Sequence, residues 1–140
     1  MASILKVDAL QGITAAGDIT VTSEGGAATQ SLQQGLAKAW INYNMSGSSS
    51  IYGSFNFTSL TDNAIGNSTV TVTSNLSNAN FAQVDGTGDN GSQFNNSRAL
   101  GITSNGRKTT SGTRFDTGGQ TVNTHYDLIE NDILIHGDLA

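Results

Sequence analysis

The chain is 140 residues long, with 6 basic and 11 acidic residues, a formal net charge of −5 at pH 7 and no cysteine. That balance argues against a nucleic-acid or anionic-membrane surface, which needs clustered Lys and Arg to neutralise phosphates, and it excludes a disulfide framework. Ser, Thr, Asn and Gly supply 64 residues and Ile, Leu, Val and Phe only 31, so a single domain with an N-terminal extension is expected, its core thin enough to need support from oligomerisation.

At the N-terminus Ile4 and Leu5 are followed at once by Lys6 and Asp8, which is no signal peptide, and no stretch has the length or apolarity of a membrane span. The chain is therefore expected to be made in a cytoplasm and not exported by the usual route. Asp18 to Thr22, DITVT, alternates Ile19 and Val21 with threonines and predicts a short β-arm. Ser23 to Ala28 is a glycine-containing link to the one good helical signal, Ser31 to Trp40, SLQQGLAKAW. There Leu32, Leu36, Ala39 and Trp40 recur at helical spacing and share one face, while Ser31 and Gln34 fit a capping box. Gly35 costs such a helix about 1 kcal/mol relative to alanine, and an isolated helix under about 12 residues is marginal. The apolar face is thus expected either to cover one end of its own sheet or to meet other subunits, and Leu32, Leu36, Ala39 and Trp40 are the candidate oligomerisation residues.

Asn42 to Ser50 ends in GSSS, a joint that cannot pack, and divides the chain into an arm and helix over 1–45 and a β domain over 46–140. Ile51 to Leu60, IYGSFNFTSL, predicts one strand with Ile51, Phe55 and Phe57 on a common face. Turn residues at Asp62 to Asn67 and the alternation of Thr69 to Thr73, with Val70 and Val72 inward, make a hairpin with it. Asp85 to Gly91, DGTGDNG, has the composition of a loop, and the loops near Asp85 to Asn96 are expected to be exposed. Asn105-Gly106 is suited to a two-residue hairpin turn. Near the C-terminus Val122, Tyr126 and Leu128 alternate with His125 and Ile129, and Asn131-Asp132 is read as a turn before Ile133 to His136. Short strands separated by Gly- and Asn-rich turns indicate a mainly β fold, an antiparallel sandwich or jelly-roll-like body with an N-terminal β-arm and one short helix.

Little chemistry is written into these residues. Gly86, Gly88 and Gly91 match G-x-G-x-x-G, but no apolar helix follows and no acidic residue stands about 20 positions on, so the match is compositional. Asp85, Thr87 and Asp89 alternate as in a calcium loop without its closing Glu, leaving cation binding by the Asp85–Asn90 loop an open question. His125 and His136 lack metal-ligand companions. His125 and Asp127 can share a strand face as an acid–base pair, but no activated nucleophile accompanies them. Arg107, Lys108 and Arg114 read as two sides of a solvated hairpin. The acidic residues stand singly, so no catalytic, cofactor-binding or metal-binding residues are assigned and the chain is expected not to be an enzyme. Tyr43, Tyr52 and Tyr126 with the abundant amides offer a sugar-binding face, against which stands the placing of Trp40, the best stacking residue, in the helix.

Three strings carry a family resemblance: ILKVDALQG at residues 4–12, GDITVTSEGGAATQSLQQGLAKAW at 17–40 and HGDLA at 136–140. With the body segment SFNFTSLTDNAIGNSTVTVT they resemble small tail-fibre-like structural proteins of tailed bacteriophages, in particular those infecting marine cyanobacteria and their neighbours. The resemblance spans most of the chain and is densest over the first 45 residues. It implies a virion structural protein, a homotrimer or other symmetric homo-oligomer that contacts other phage structural proteins. Capsid decoration or head appendage is one alternative, since the chain is short for a host-contacting fibre. A carbohydrate-binding adhesin module that meets a host surface glycan is the other.

Overall fold

A computed structural model of the protein describes residues 4–15, 18–23, 25–88, 99–101, 107–118 and 125–140. The chain divides into two compact units, Met1–Leu36 and Ala37–Ala140.

In the first unit β1 (Thr20–Thr22) pairs antiparallel with β2 (Thr29–Ser31), Thr20 opposite Ser31 and Thr22 opposite Thr29. Ser23 closes the connection twice: its N–H donates to the Ala28 carbonyl at 2.8 Å and its Oγ accepts from the Ala28 N–H at 3.3 Å. A single helical turn, α1 (Leu32–Gly35), follows, with the Ser31 hydroxyl accepting a long 3.5 Å bond from the Gln34 N–H. Leu36 leaves that turn in extended conformation, φ −94 and ψ 141. The helix expected over Ser31 to Trp40 is therefore only its first turn. Beyond Gly35 the segment AWINYN also alternates with period two, and burial of Ala39, Ile41 and Tyr43 in a sheet outweighs a glycine-weakened helical pattern.

In the second unit the described residues form nine strands: β3 (Ala39–Asn44), β4 (Ser50–Phe55), β5 (Phe57–Ala64), β6 (Asn67–Val72), β7 (Ala82–Gly88), β8 (Ala99–Gly101), β9 (Lys108–Thr109), β10 (Gly112–Gly118) and β11 (Glu130–His136). All pairings are antiparallel. One sheet has the order β4-β3-β11-β7, and the other runs β5-β6-β10-β8 with β9 on the end of β10. Ala39, Ile41 and Tyr43 of β3 and Ile133 and Ile135 of β11 meet Phe57, Val70, Val72 and Phe115 of the other sheet in one core, which Met45, Leu76 and Phe81 complete. The mainly β, sandwich-like body is as expected, but its boundary is not at 45/46. Strand β3 is central to the first sheet, which moves the start of the body to Ala37.

The alternation of IYGSFNFTSL does not make one strand. Asn56 adopts φ 58, a left-handed conformation that few residues other than glycine and asparagine take, and there the chain leaves the first sheet at Phe55 and enters the second at Phe57. Its amide holds the corner from three sides: Nδ2 donates to the Lys38 carbonyl at 3.0 Å and the Ser74 carbonyl at 3.2 Å, and Oδ1 accepts from the Ser74 N–H at 2.7 Å. Because the corner changes sheets, Phe57 is buried while Ile51 and Phe55 remain outside the core, contrary to the common face expected of them.

The β5–β6 hairpin forms as expected, with Val70 and Val72 inward, and turns at Ile65-Gly66. Two other expected turns are strand instead. Asn131-Asp132 lies within β11, where pairing with β3 and β7 takes up its backbone and Asn131 Nδ2 donates to the Tyr43 carbonyl at 3.3 Å and the Leu128 carbonyl at 3.0 Å. Asp85 to Gly88 lies within β7, drawn into a seven-residue register with β11. Asp89 to Asn96, Ser104 to Gly106 and Val122 lie outside the described residues, and the hairpin described beside the SNGR segment turns at Thr110-Ser111 between β9 and β10. Among the described residues no helix is long and apolar enough to cross a membrane.

Candidate functional site

The inner faces of the sheets are occupied by the core, so an open site has to be built on an outer face. On the first sheet, β3 and β11 alternate strictly: Ala39, Ile41, Tyr43, Ile133 and Ile135 point inward, which sends Trp40, Asn42, Asp132 and Leu134 outward. The register aligns these into two rows across all four strands. The first is Phe55, Trp40, Leu134, Val84, entirely apolar. The second is Gly53, Asn42, Asp132, Gly86, a hydrogen-bonded polar pair between two glycines.

Trp40 is 42% and Phe55 54% exposed, large values for such side chains in a sheet. The indole leans over Gly53, where an added Cβ would stand in ordinary van der Waals contact with its Cζ3 and Cη2 at 3.4 and 3.5 Å. In the second row Asn42 Nδ2 donates to Asp132 Oδ1 at 2.7 Å. Trp40, Val84, Gly86, Asp132 and Leu134 line an open groove of about 330 Å³. One edge of the face is irregular: the β3–β4 pairing shifts between Asn42 and Tyr43, which leaves Tyr52 unmatched and exposed.

The residues expected to share a helical face are dispersed. Leu32 lies in α1, Leu36 is exposed just beyond it, Ala39 is fully buried in the body core, and Trp40 faces the other way on the same strand. Nor do the tyrosines make one sugar-binding face. Tyr43 lies in the core, its hydroxyl bonded to Ser68 Oγ across the sheets at 3.0 Å, and burial pushes its phenol up to about 12 while that bond pulls it down less strongly.

The other candidates are occupied by structural work. Asp127, the partner proposed for His125, accepts from the Gly66 N–H at 2.6 Å and so fastens the β5–β6 turn. Gly66 has φ +63, and a Cβ there would come within 2.9 Å of His125 Cβ, so this segment clasps the turn closely. Arg107 is ion-paired to the buried Asp116, Asn67 Nδ2 donates to that same carboxylate, and Arg114 Nε donates to Asn67 Oδ1 at 2.8 Å. Lys108 lies over the Phe81 ring, 4.9 Å from its centroid, and donates to the Phe81 carbonyl at 2.9 Å. The three cations are thus engaged within the protein rather than forming a solvated pair of hairpin sides.

Asp85 accepts from Gln83 Nε2 at 2.6 Å, and partial burial raises its carboxyl above the usual value against the pull of that bond and of Lys108. Asp85 and Thr87 are therefore strand residues, while Asp89 and Asn90 of the suggested cation loop lie outside the described residues. Among the described residues no group of three His, Cys, Asp or Glu side chains could hold a metal ion. The sequence reading misses the two-row outer face because the spacing of Leu32, Leu36 and Trp40 places Trp40 in a helix. The signal that finds it is the alternation of AWINYN read against that of NDILIH. Comparison with family models, curated proteins and solved structures returned no match.

Proposed function

We propose that the chain is a non-enzymatic structural protein of a bacteriophage particle, tail-fibre-like in kind, which assembles through its N-terminal unit into a symmetric homo-oligomer such as a trimer. One observation carries the assembly: no described residue of Met1–Leu36 is buried, although Ile4, Leu5, Val7, Leu10, Ile13 and Leu36 are all more than half exposed. Apolar surface is disfavoured in water by about 25 cal/mol per Å², so a segment of this composition gains most when other copies cover it. The candidate contacts accordingly shift from a helical face to these six side chains. The place in a virion is supported by the strings at 4–12, 17–40 and 136–140, and the absence of enzymatic chemistry by the structural engagement of Asp116 and Asp127.

Light scattering of the full chain tests the assembly. The expected mass is a fixed multiple of the subunit, and the double variant Leu5→Asp, Ile13→Asp should give monomers with unchanged β-sheet circular dichroism. A wild-type monomer at every concentration would remove the assembly reading, and failure to find the protein in purified particles by mass spectrometry would remove the virion reading.

A further inference from the structure

We infer that the outer face of the β4-β3-β11-β7 sheet is a binding platform for a neutral saccharide, with Trp40 as its stacking surface and Asn42 and Asp132 as acceptors for sugar hydroxyls. This goes beyond the assembly reading and does not rest on it.

A saccharide presents a sheet of C–H groups on its ring face and a rim of O–H donors. A matching surface needs an aromatic ring with one side open, and acceptors about one sugar radius away. Trp40 supplies the first, since its indole leans over Gly53 yet stays 42% exposed. The second follows from the strand repeat: outward residues two apart are separated by about 6.6 Å, so the Asn42–Asp132 row lies within reach of the rim of a ring stacked on Trp40. Asn42 and Asp132 bond to each other through Nδ2 and Oδ1 and make no further hydrogen bond among the described residues, which leaves Asn42 Oδ1 and Asp132 Oδ2 as acceptors facing outward. Gly86, which lines the groove of about 330 Å³ beside Trp40 and Asp132, adds no side chain, so the groove stays open to a ligand lying across the strands.

Charge selects the class of ligand. The two rows contain a carboxylate and no cation, and the chain carries a net −5, so an anionic sugar or phosphate is repelled and a neutral, hydroxyl-rich one is preferred. The same rows fit a second copy of this chain poorly. Four partly exposed side chains fall far short of the roughly 800 Å² per partner of a stable interface, and a two-fold contact across them would bring Asp132 and Glu130 toward their own copies.

Trp40 is the only tryptophan, so its fluorescence reports on the platform alone. The full chain would be titrated with maltohexaose, cellohexaose, laminarihexaose and chitohexaose. The expected result is a saturable change in emission with at least one of them. Calorimetry with that sugar should show binding lost in Trp40→Ala, retained more weakly in Trp40→Phe, and weakened at least about tenfold in Asp132→Ala, each variant keeping its β-sheet circular dichroism. Emission indifferent to the whole panel overturns the proposal, as does undiminished binding by Trp40→Ala or Asp132→Ala. Emission that follows protein concentration instead of sugar also overturns it, assigning the face to a second copy. A monomeric chain that still binds sugar would sink the assembly reading and leave the platform standing.

Discussion

The two units handle apolar side chains in opposite ways. In Ala37–Ala140 a few aliphatic and aromatic residues from two sheets close a core in which Ile41, Tyr43, Phe115 and Ile135 are almost wholly buried. In Met1–Leu36 comparable side chains are present, yet no described residue is buried, and the regular structure among the described residues is one three-residue ladder and one helical turn. A polar chain can thus keep a thin core in one place only if it concentrates its strand pairing there. The remainder depends on what surrounds it.

That contrast breaks most readily at the centre of the core. Phe115→Ala should cost the body about 3–5 kcal/mol in urea denaturation at fixed protein concentration, whereas Ile13→Ser in the first unit should leave the body transition where it was. Equal losses from the two would erase the distinction. Next comes the sheet-changing corner. Asn56→Ala removes three side-chain hydrogen bonds and strains a left-handed backbone, an expected loss of about 2–4 kcal/mol, and Asn56→Gly should recover about 1 kcal/mol of it by relieving the strain. If alanine and glycine destabilise alike, the backbone contributes nothing at that corner. The smallest effect belongs to Tyr43→Phe, about 1 kcal/mol at neutral pH from the lost bond to Ser68. Its signature is alkaline. The folded phenol titrates near 12 and the unfolded one near 10.0, so stability is undiminished below pH 10 and declines as pH rises toward 12. Stability measured across that range should fall less steeply in the phenylalanine variant.

What was legible in the sequence was period-two alternation wherever it coincided with a single sheet, as in TVTVT, whose valines face the core as expected. Where two patterns overlap, residues alone do not choose between them. Leu32, Leu36 and Trp40 are spaced by four, which suits a helix, but Trp40 is also one step of AWINYN, and pairing with β11 decides for the strand. Alternation likewise runs unbroken through Asn56, so the corner leaves no mark beyond an asparagine that tolerates positive φ. Asn131-Asp132 and Asp85-Gly86 have turn composition, yet neighbouring strands recruit them by pairing their backbone, with Asn131 Nδ2 bonded to the Tyr43 carbonyl of β3. The candidate platform was hidden for the same reason: it is a property of register between residues about ninety positions apart, Asn42 beside Asp132 and Trp40 beside Leu134.

The position of β11 between β3 and β7 has a consequence for biosynthesis. A nascent chain that has not yet been extended through Glu130–His136 has β3 and β7 separated, each with an edge that β11 would otherwise pair, and leaves Ile41 and Tyr43 of β3 without Ile133 and Ile135 beside them. The first sheet cannot close on the ribosome ahead of that strand, so the body should acquire its structure late and in one step, with the slow kinetics of long-range pairing. Translation that stops short of Glu130 would release an intermediate with open strand edges, prone to pair with other chains.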